Sequence, residues 1–186
     1  FLTLVSHLLL AQNLNKIVIA KVDVVGNTNT SKNTIIFTSG LREGQLVNPT
    51  DFPRAIKRLW QLGLFQDIQL QYEKETEDGL FLIIKVVENY ILGDIKYEGN
   101  KKIKESKFEE ELGLTRGQRI KPNTLHTTRS LIKKLYAEKG FLNVEVNSLL
   151  SIPGKKLNVN DPKNTDLMRD IVFNISENKK QRLTKL

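Results

Sequence analysis

No cysteine occurs in the 186 residues, and histidine occurs only twice, at His7 and His126. The first absence removes thiolate nucleophiles, disulfide frameworks and cysteine-ligated zinc together. The second leaves too few imidazoles for a histidine-based triad or a multi-histidine metal site. Glycine-rich phosphate binding is also missing, since Gly40-Leu-Arg-Glu-Gly44 lacks the Gly-Lys-Ser/Thr ending of a phosphate loop. No catalytic residues, no metal and no cofactor are expected, so an enzyme is the weakest class. A fold without disulfide or metal staples must be held by packing.

Charge of one sign is not concentrated either, although the net charge is +8. Residues 19–91 carry eight Lys/Arg against nine Asp/Glu, and residues 92–178 carry sixteen against twelve. The other five positive charges are Lys16 and the terminal Lys179, Lys180, Arg182 and Lys185. A basic nucleic-acid-binding α/β module is the competing reading, but the front half is near neutral and aromatics do not interleave with basic residues. The Gly-x-x-Gly loop of a KH unit is absent too.

Long apolar runs are lacking. Phe1 to Gln12 is apolar but too short to span a bilayer, and polar residues come after it. That shape is the core and end of a secretory signal peptide, which gives 1–15 as a signal-peptide remnant. A membrane anchor truncated at its front, or a helix packed on the first folded unit, are the alternatives.

What is present is a repeat. Ile19-Ala-Lys-Val-Asp-Val-Val-Gly26-Asn27 returns as Leu92-Gly-Asp-Ile-Lys-Tyr-Glu-Gly99-Asn100, an offset of 73. Gly40-Leu-Arg-Glu-Gly44-Gln45 and Pro49 return at the same offset as Gly113-Leu-Thr-Arg-Gly117-Gln118 and Pro122. Ile56-Lys-Arg-Leu-Trp60 answers to Ile132-Lys-Lys-Leu-Tyr136 at 76, and Gly63-Leu-Phe65 to Gly140-Phe-Leu142 at 77. Val87-Glu88-Asn89 answers to Ser176-Glu177-Asn178 at 89, the wider gap reflecting extra residues between Ser151 and Met168. The units are 16–90 and 91–179. Leu183-Thr-Lys-Leu186 repeats the apolar-x-x-apolar opening, so 180–186 reads as the start of a third.

Each unit reads as strand, helix, helix, strand, strand. Val18–Val25 is β-branched and ends at a Gly-Asn turn. A short helix begins after a Ser31 cap and stops at Gly40; its partner runs from about Ser106 to Leu112 and stops at Gly113. The second helix of the second unit shows the stripe Thr128, Ile132, Leu135, Tyr136, and its counterpart uses Ile56, Leu59 and Trp60. Both end at glycine, Gly63 or Gly140.

Ile68–Tyr72 then alternates cleanly, with Ile68, Leu70 and Tyr72 on one face and Gln69 and Gln71 on the other. Leu80–Val87 hardly alternates and reads as a more central strand, joined to the last by a hairpin at Glu75–Gly79. Asn143–Leu149 and Ile171–Ile175 take these places in the second unit, with a long polar connection between them.

The order of these motifs resembles the POTRA (polypeptide-transport-associated) family. They are apolar-x-x-apolar-x-x-x-Gly-Asn, Gly-Leu-x-x-Gly, Leu-x-x-x-Gly-x-Phe and a closing Val-x-Glu. Two units in tandem resemble the N-terminal periplasmic region of BamA-type outer-membrane assembly factors, and the likeness covers 17–178. It implies an α+β fold of tandem β-α-α-β-β units, each a three-stranded mixed sheet covered on one face by two helices. It implies a periplasmic arm attached to the outer membrane through a C-terminal barrel. That arm would bind unfolded outer-membrane proteins and assembly partners, and no nucleic acid. The POTRA region of a two-partner secretion transporter is the alternative within the superfamily.

An open sheet edge accepts an extended chain through unpaired N–H and C=O groups. In the family the second strand of the unit is the usual edge, which maps to Ile68, Gln69, Leu70, Gln71 and Tyr72, and to Asn143, Val144, Glu145, Val146 and Asn147. Trp60 and Tyr136 are expected in the core. His126, the Glu109-Glu110-Glu111 run and Lys101-Lys102-x-Lys104 read as solvated surface, with lipid headgroups the alternative for the lysines.

Overall fold

The computed structural model describes residues 16–153 and 167–178. The expected signal remnant, the third-unit trace and most of the polar connection before Met168 lie outside the described residues. The chain divides into two units between Glu88 and Asn89.

The first unit runs β1 (Ile17–Val25), α1 (Lys32–Ser39), β2 (Leu46–Val47), α2 (Asp51–Gln61), β3 (Phe65–Thr76) and β4 (Gly79–Glu88). The second repeats it as β5 (Tyr90–Glu98), α3 (Glu105–Leu112), β6 (Arg119–Ile120), α4 (Thr124–Glu138), β7 (Glu145–Ser151) and β8 (Met168–Ser176). The mixed α+β architecture is as expected from the sequence. The sheets, however, have four strands rather than three, in the orders β2-β1-β4-β3 and β6-β5-β8-β7. The extra strands are two residues long, too short for any alternation to show in a sequence.

Within each sheet the first and last long strands are parallel, β1 with β4 and β5 with β8, and the second long strand, β3 or β7, is antiparallel to the last. This puts β4 and β8 inside the sheet, the central place expected of Leu80–Val87; Leu82, Ile84 and Val86 are buried, while Lys85 and Val87 on the other face are exposed. A register shift between Ile19 and Lys21 lets both Ile19 and Val22 turn inward. Ser31 caps α1 by accepting the N–H of Thr34 at 3.1 Å. Burying each aliphatic core side chain stabilises a unit by about 1.5–3 kcal/mol.

The repeated Gly-Asn has a physical reason. A Cβ on Gly26 would lie 2.2 Å from the Val86 carbonyl oxygen, and one on Gly99 would lie 2.1 Å from that of Ile175. Asn27 and Asn100 then donate from Nδ2 to the carbonyls of Thr30 and Ile103, at 2.8 and 3.2 Å. The closing glutamates fasten the same loops. Glu88 Oε1 accepts the N–H groups of Thr28, Asn29 and Thr30 at 2.8–3.0 Å. Burial alone would raise the Glu88 pKa, but these donors outweigh it and hold the carboxyl below its usual range. Glu177 Oε1 accepts the Lys102 N–H and the Tyr136 hydroxyl, each at 2.6 Å.

One expectation about the core fails. Tyr136 is fully buried, whereas Trp60 is 44% exposed. The helices match at an offset of 77, shared with Gly63 and Gly140, not at 76. Leu59 and Ala55 are the buried residues of α2, and Tyr136 and Ile132 occupy those places in α4. A one-residue error turns a helix face by about 100°, and that rotation carries Trp60 out to solvent.

Candidate functional site

The outer edge of each sheet is the strand that comes after the second helix. In the first unit β3 is twelve residues long and, among the described residues, pairs only with β4, so no described strand takes its other side. The residues expected at this edge all lie within it. Ile68 is buried, Leu70 half-buried, Gln69 and Gln71 exposed, and Tyr72 is 58% exposed.

The two faces of β3 differ. On the outer face the amides form a chain, with Gln71 Nε2 donating to Gln69 Oε1 at 3.1 Å and Gln69 Nε2 to Asp67 Oδ2 at 2.8 Å. On the helix side Leu70 and Tyr72 border a groove of about 460 Å³ whose other walls include Phe52, Ile56, Leu80 and Leu82. Phe52 and Ile56 are one helical turn apart on α2, which aims both at the strand. The sequence reading missed this groove because its walls come from a helix and two strands. The spacing of Phe52 and Ile56 was the only signal for it.

The second edge is built differently. Of the five residues expected there, Glu145, Val146 and Asn147 lie on β7, whereas Asn143 and Val144 precede it. The chain turns at Leu142 and Asn143, and the Asn143 carbonyl accepts a 2.6 Å hydrogen bond from Asn178 Nδ2, so pairing begins two residues later than expected. Val144 and Val146 are buried; Glu145 and Asn147 are exposed. From α4, Arg129 Nη1 donates to Ser148 Oγ at 2.7 Å.

Both edges offer main-chain hydrogen bonds, and the first adds apolar contact. Among the described residues no three His, Asp or Glu side chains gather as a metal site, and no helix is long and apolar enough to cross a membrane.

Comparison with known proteins bears on what these edges belong to. The chain is 27% identical over 123 residues to the outer membrane protein assembly factor BamA of Nitratidesulfovibrio vulgaris, covering 66% of this chain and 15% of that protein. It is 27% identical over 172 residues to BamA of Neisseria meningitidis serogroup B, covering 89% and 19%. The chain thus spans less than a fifth of the length of either relative. The N-terminal domain of Omp85 from Thermosynechococcus elongatus aligns with TM-score 0.49 and 18% identity, over 85% of this chain and 62% of that one. POTRA1-2 of the periplasmic domain of Omp85 from Anabaena aligns with TM-score 0.48 and 13% identity, over 89% and 98%. The family described as "POTRA: Surface antigen variable number repeat" matches residues 17–89 and again residues 90–178. With nearly all of its length in those two matches, this chain belongs to the POTRA family.

Proposed function

We propose that the chain is the periplasmic arm of a BamA-like outer-membrane β-barrel assembly factor, attached to the outer membrane through a C-terminal barrel. It holds unfolded outer-membrane proteins and assembly partners by strand addition at β3 and β7. The observation that carries this is the free edge of β3 beside an apolar groove. Main-chain pairing tolerates many sequences, which suits a protein that handles many clients. A barrel strand alternates apolar and polar residues, and β3 offers an apolar side toward α2 and an amide-lined side away from it. The likeness to BamA in sequence supports the same reading.

The test is titration of a barrel-strand peptide into the isotopically labelled chain. Amide shifts and slowed exchange should appear along 67–72 and 145–150. Proline placed in β3 or β7 at a residue whose N–H points away from β4 or β8 removes one edge donor, and is expected to weaken binding at that edge about tenfold with the circular dichroism unchanged. Shifts confined to helices or loops would reject strand addition.

A further inference from the structure

The two edges differ chemically at equivalent positions. Pairing fixes the equivalence. Leu70 lies opposite Ile84, four residues before Glu88, and Ser148 lies opposite Phe173, four residues before Glu177. Leu70 and Ser148 therefore occupy the same place. On the helices, the offset of 77 set by Leu59 and Tyr136 makes Arg129 the counterpart of Phe52 and Lys133 the counterpart of Ile56. The two positions that give the apolar wall in the first unit carry cations in the second, and Arg129 already reaches the edge strand at Ser148.

We infer that the two units select different strands: the first takes an apolar side chain into the groove under Phe52 and Ile56, and the second takes an acidic one against Arg129 and Lys133. This rests on the strand-addition reading and deepens it. A strand added beside β3 must point every second side chain toward α2, where the lining is apolar and a charged group would be desolvated without a partner. A strand added beside β7 points the same side chains at a guanidinium and an ammonium. Carboxylates are the chemistry that pairs with both. The Ser148 hydroxyl is the weaker partner for Arg129, so an arriving carboxylate exchanges a neutral acceptor for a charged one.

The probes are two peptides of about ten residues, the length of a barrel strand, made of Ser and Thr with either Leu or Glu at two central alternate positions. Each is titrated into the full chain while amide shifts are tracked on β3 and β7. The Leu peptide is expected to prefer β3 and the Glu peptide β7, each by about tenfold or more. Raising salt from about 0.05 to 0.5 M should weaken only the Glu peptide, because screening acts on charge. The variant R129F/K133I alters exposed or half-exposed positions and should abolish the β7 preference for Glu. Replacing the peptide's Glu by Gln should do the same with the protein unchanged. Equal preference at both edges, or a Glu preference that survives both changes, overturns the inference and leaves strand addition standing. Shifts at neither edge remove strand addition and this inference together.

Discussion

At five corresponding core positions the first unit places aliphatic side chains where the second places aromatic ones. Val24, Ile35, Leu59, Leu64 and Ile84 of the first correspond to Tyr97, Phe108, Tyr136, Phe141 and Phe173 of the second. The second set forms one cluster, with Tyr97 stacked on Phe173 at 5.7 Å between ring centroids, tilted on Phe108 at 4.8 Å, and Tyr136 edge-on to Phe141 at 6.2 Å. The difference teaches what the fold holds constant. Backbone devices such as Gly26 and Gly99 recur unchanged because only glycine fits against the neighbouring carbonyl. Packing is free to change provided the new groups are satisfied. Leucine needs no hydrogen-bond partner, whereas a buried phenol does, and Tyr136 finds one in Glu177.

The largest expected effect breaks this comparison at its centre. Phe173 is fully buried within the aromatic cluster, and Phe173→Ala should destabilise the second unit by about 3–5 kcal/mol. Amide exchange read residue by residue in the whole chain checks it. Protection should fall throughout 90–178 by that amount. A loss below about 1 kcal/mol would show that the cluster does not carry the second core.

The pH response gives the next effect, with opposite signs in the two units. Glu88 is held ionised by three backbone donors, so its folded pKa lies below its unfolded one. Its contribution is complete above the ordinary carboxylate value of about 4.3 and is lost as pH falls through the folded value. In the second unit burial, with Glu177 beside it, pushes the Tyr136 phenol up, and burial likewise pushes Tyr97 up to about 12. Those groups contribute fully below about pH 10 and lose their contribution as pH rises through the folded values. Acid should therefore loosen the 28–30 loop of the first unit, and alkali should loosen the second unit. Glu88→Gln should cost about 1.5–3 kcal/mol at neutral pH, the range for hydrogen bonds to a charged group, and should flatten the acid limb of the first unit alone. Exchange at Thr28, Asn29 and Thr30 against pH is the measurement.

Much of the repeat was legible because its signals are local. Ser31, Gly40 and Gly113 end helices by their own chemistry, and Leu80–Val87 shows a central strand in its lack of alternation. The edge was legible in part, since Ile68–Tyr72 alternates whereas Asn143 and Val144 look like strand but Asn143 lies in a turn and Val144 precedes the first paired residue. The groove was not legible. Phe52, Leu70 and Leu82 are far apart in sequence and meet only after the hairpin returns to the helix. Arg129 was hidden for another reason, because its counterpart depends on a helical register that the residue matches at 76 set wrongly.

That register is the smallest and most discriminating prediction. If α2 and α4 matched at 76, Trp60 would replace Tyr136 in a core, and Trp60→Ala would cost about 3–5 kcal/mol. At 77 the tryptophan lies on the solvent side of α2 and Leu59 is the buried residue. Trp60→Ala should then change stability by no more than about 0.5–1 kcal/mol, as surface substitutions do, while Leu59→Ala costs about 2–5 kcal/mol. Chemical denaturation of the two variants side by side separates the registers, and a larger loss for Trp60→Ala would restore 76. It would also undo the pairing of Phe52 with Arg129 on which the two edges are distinguished, so a change of under one kilocalorie at an exposed tryptophan bears directly on how each edge chooses its strand.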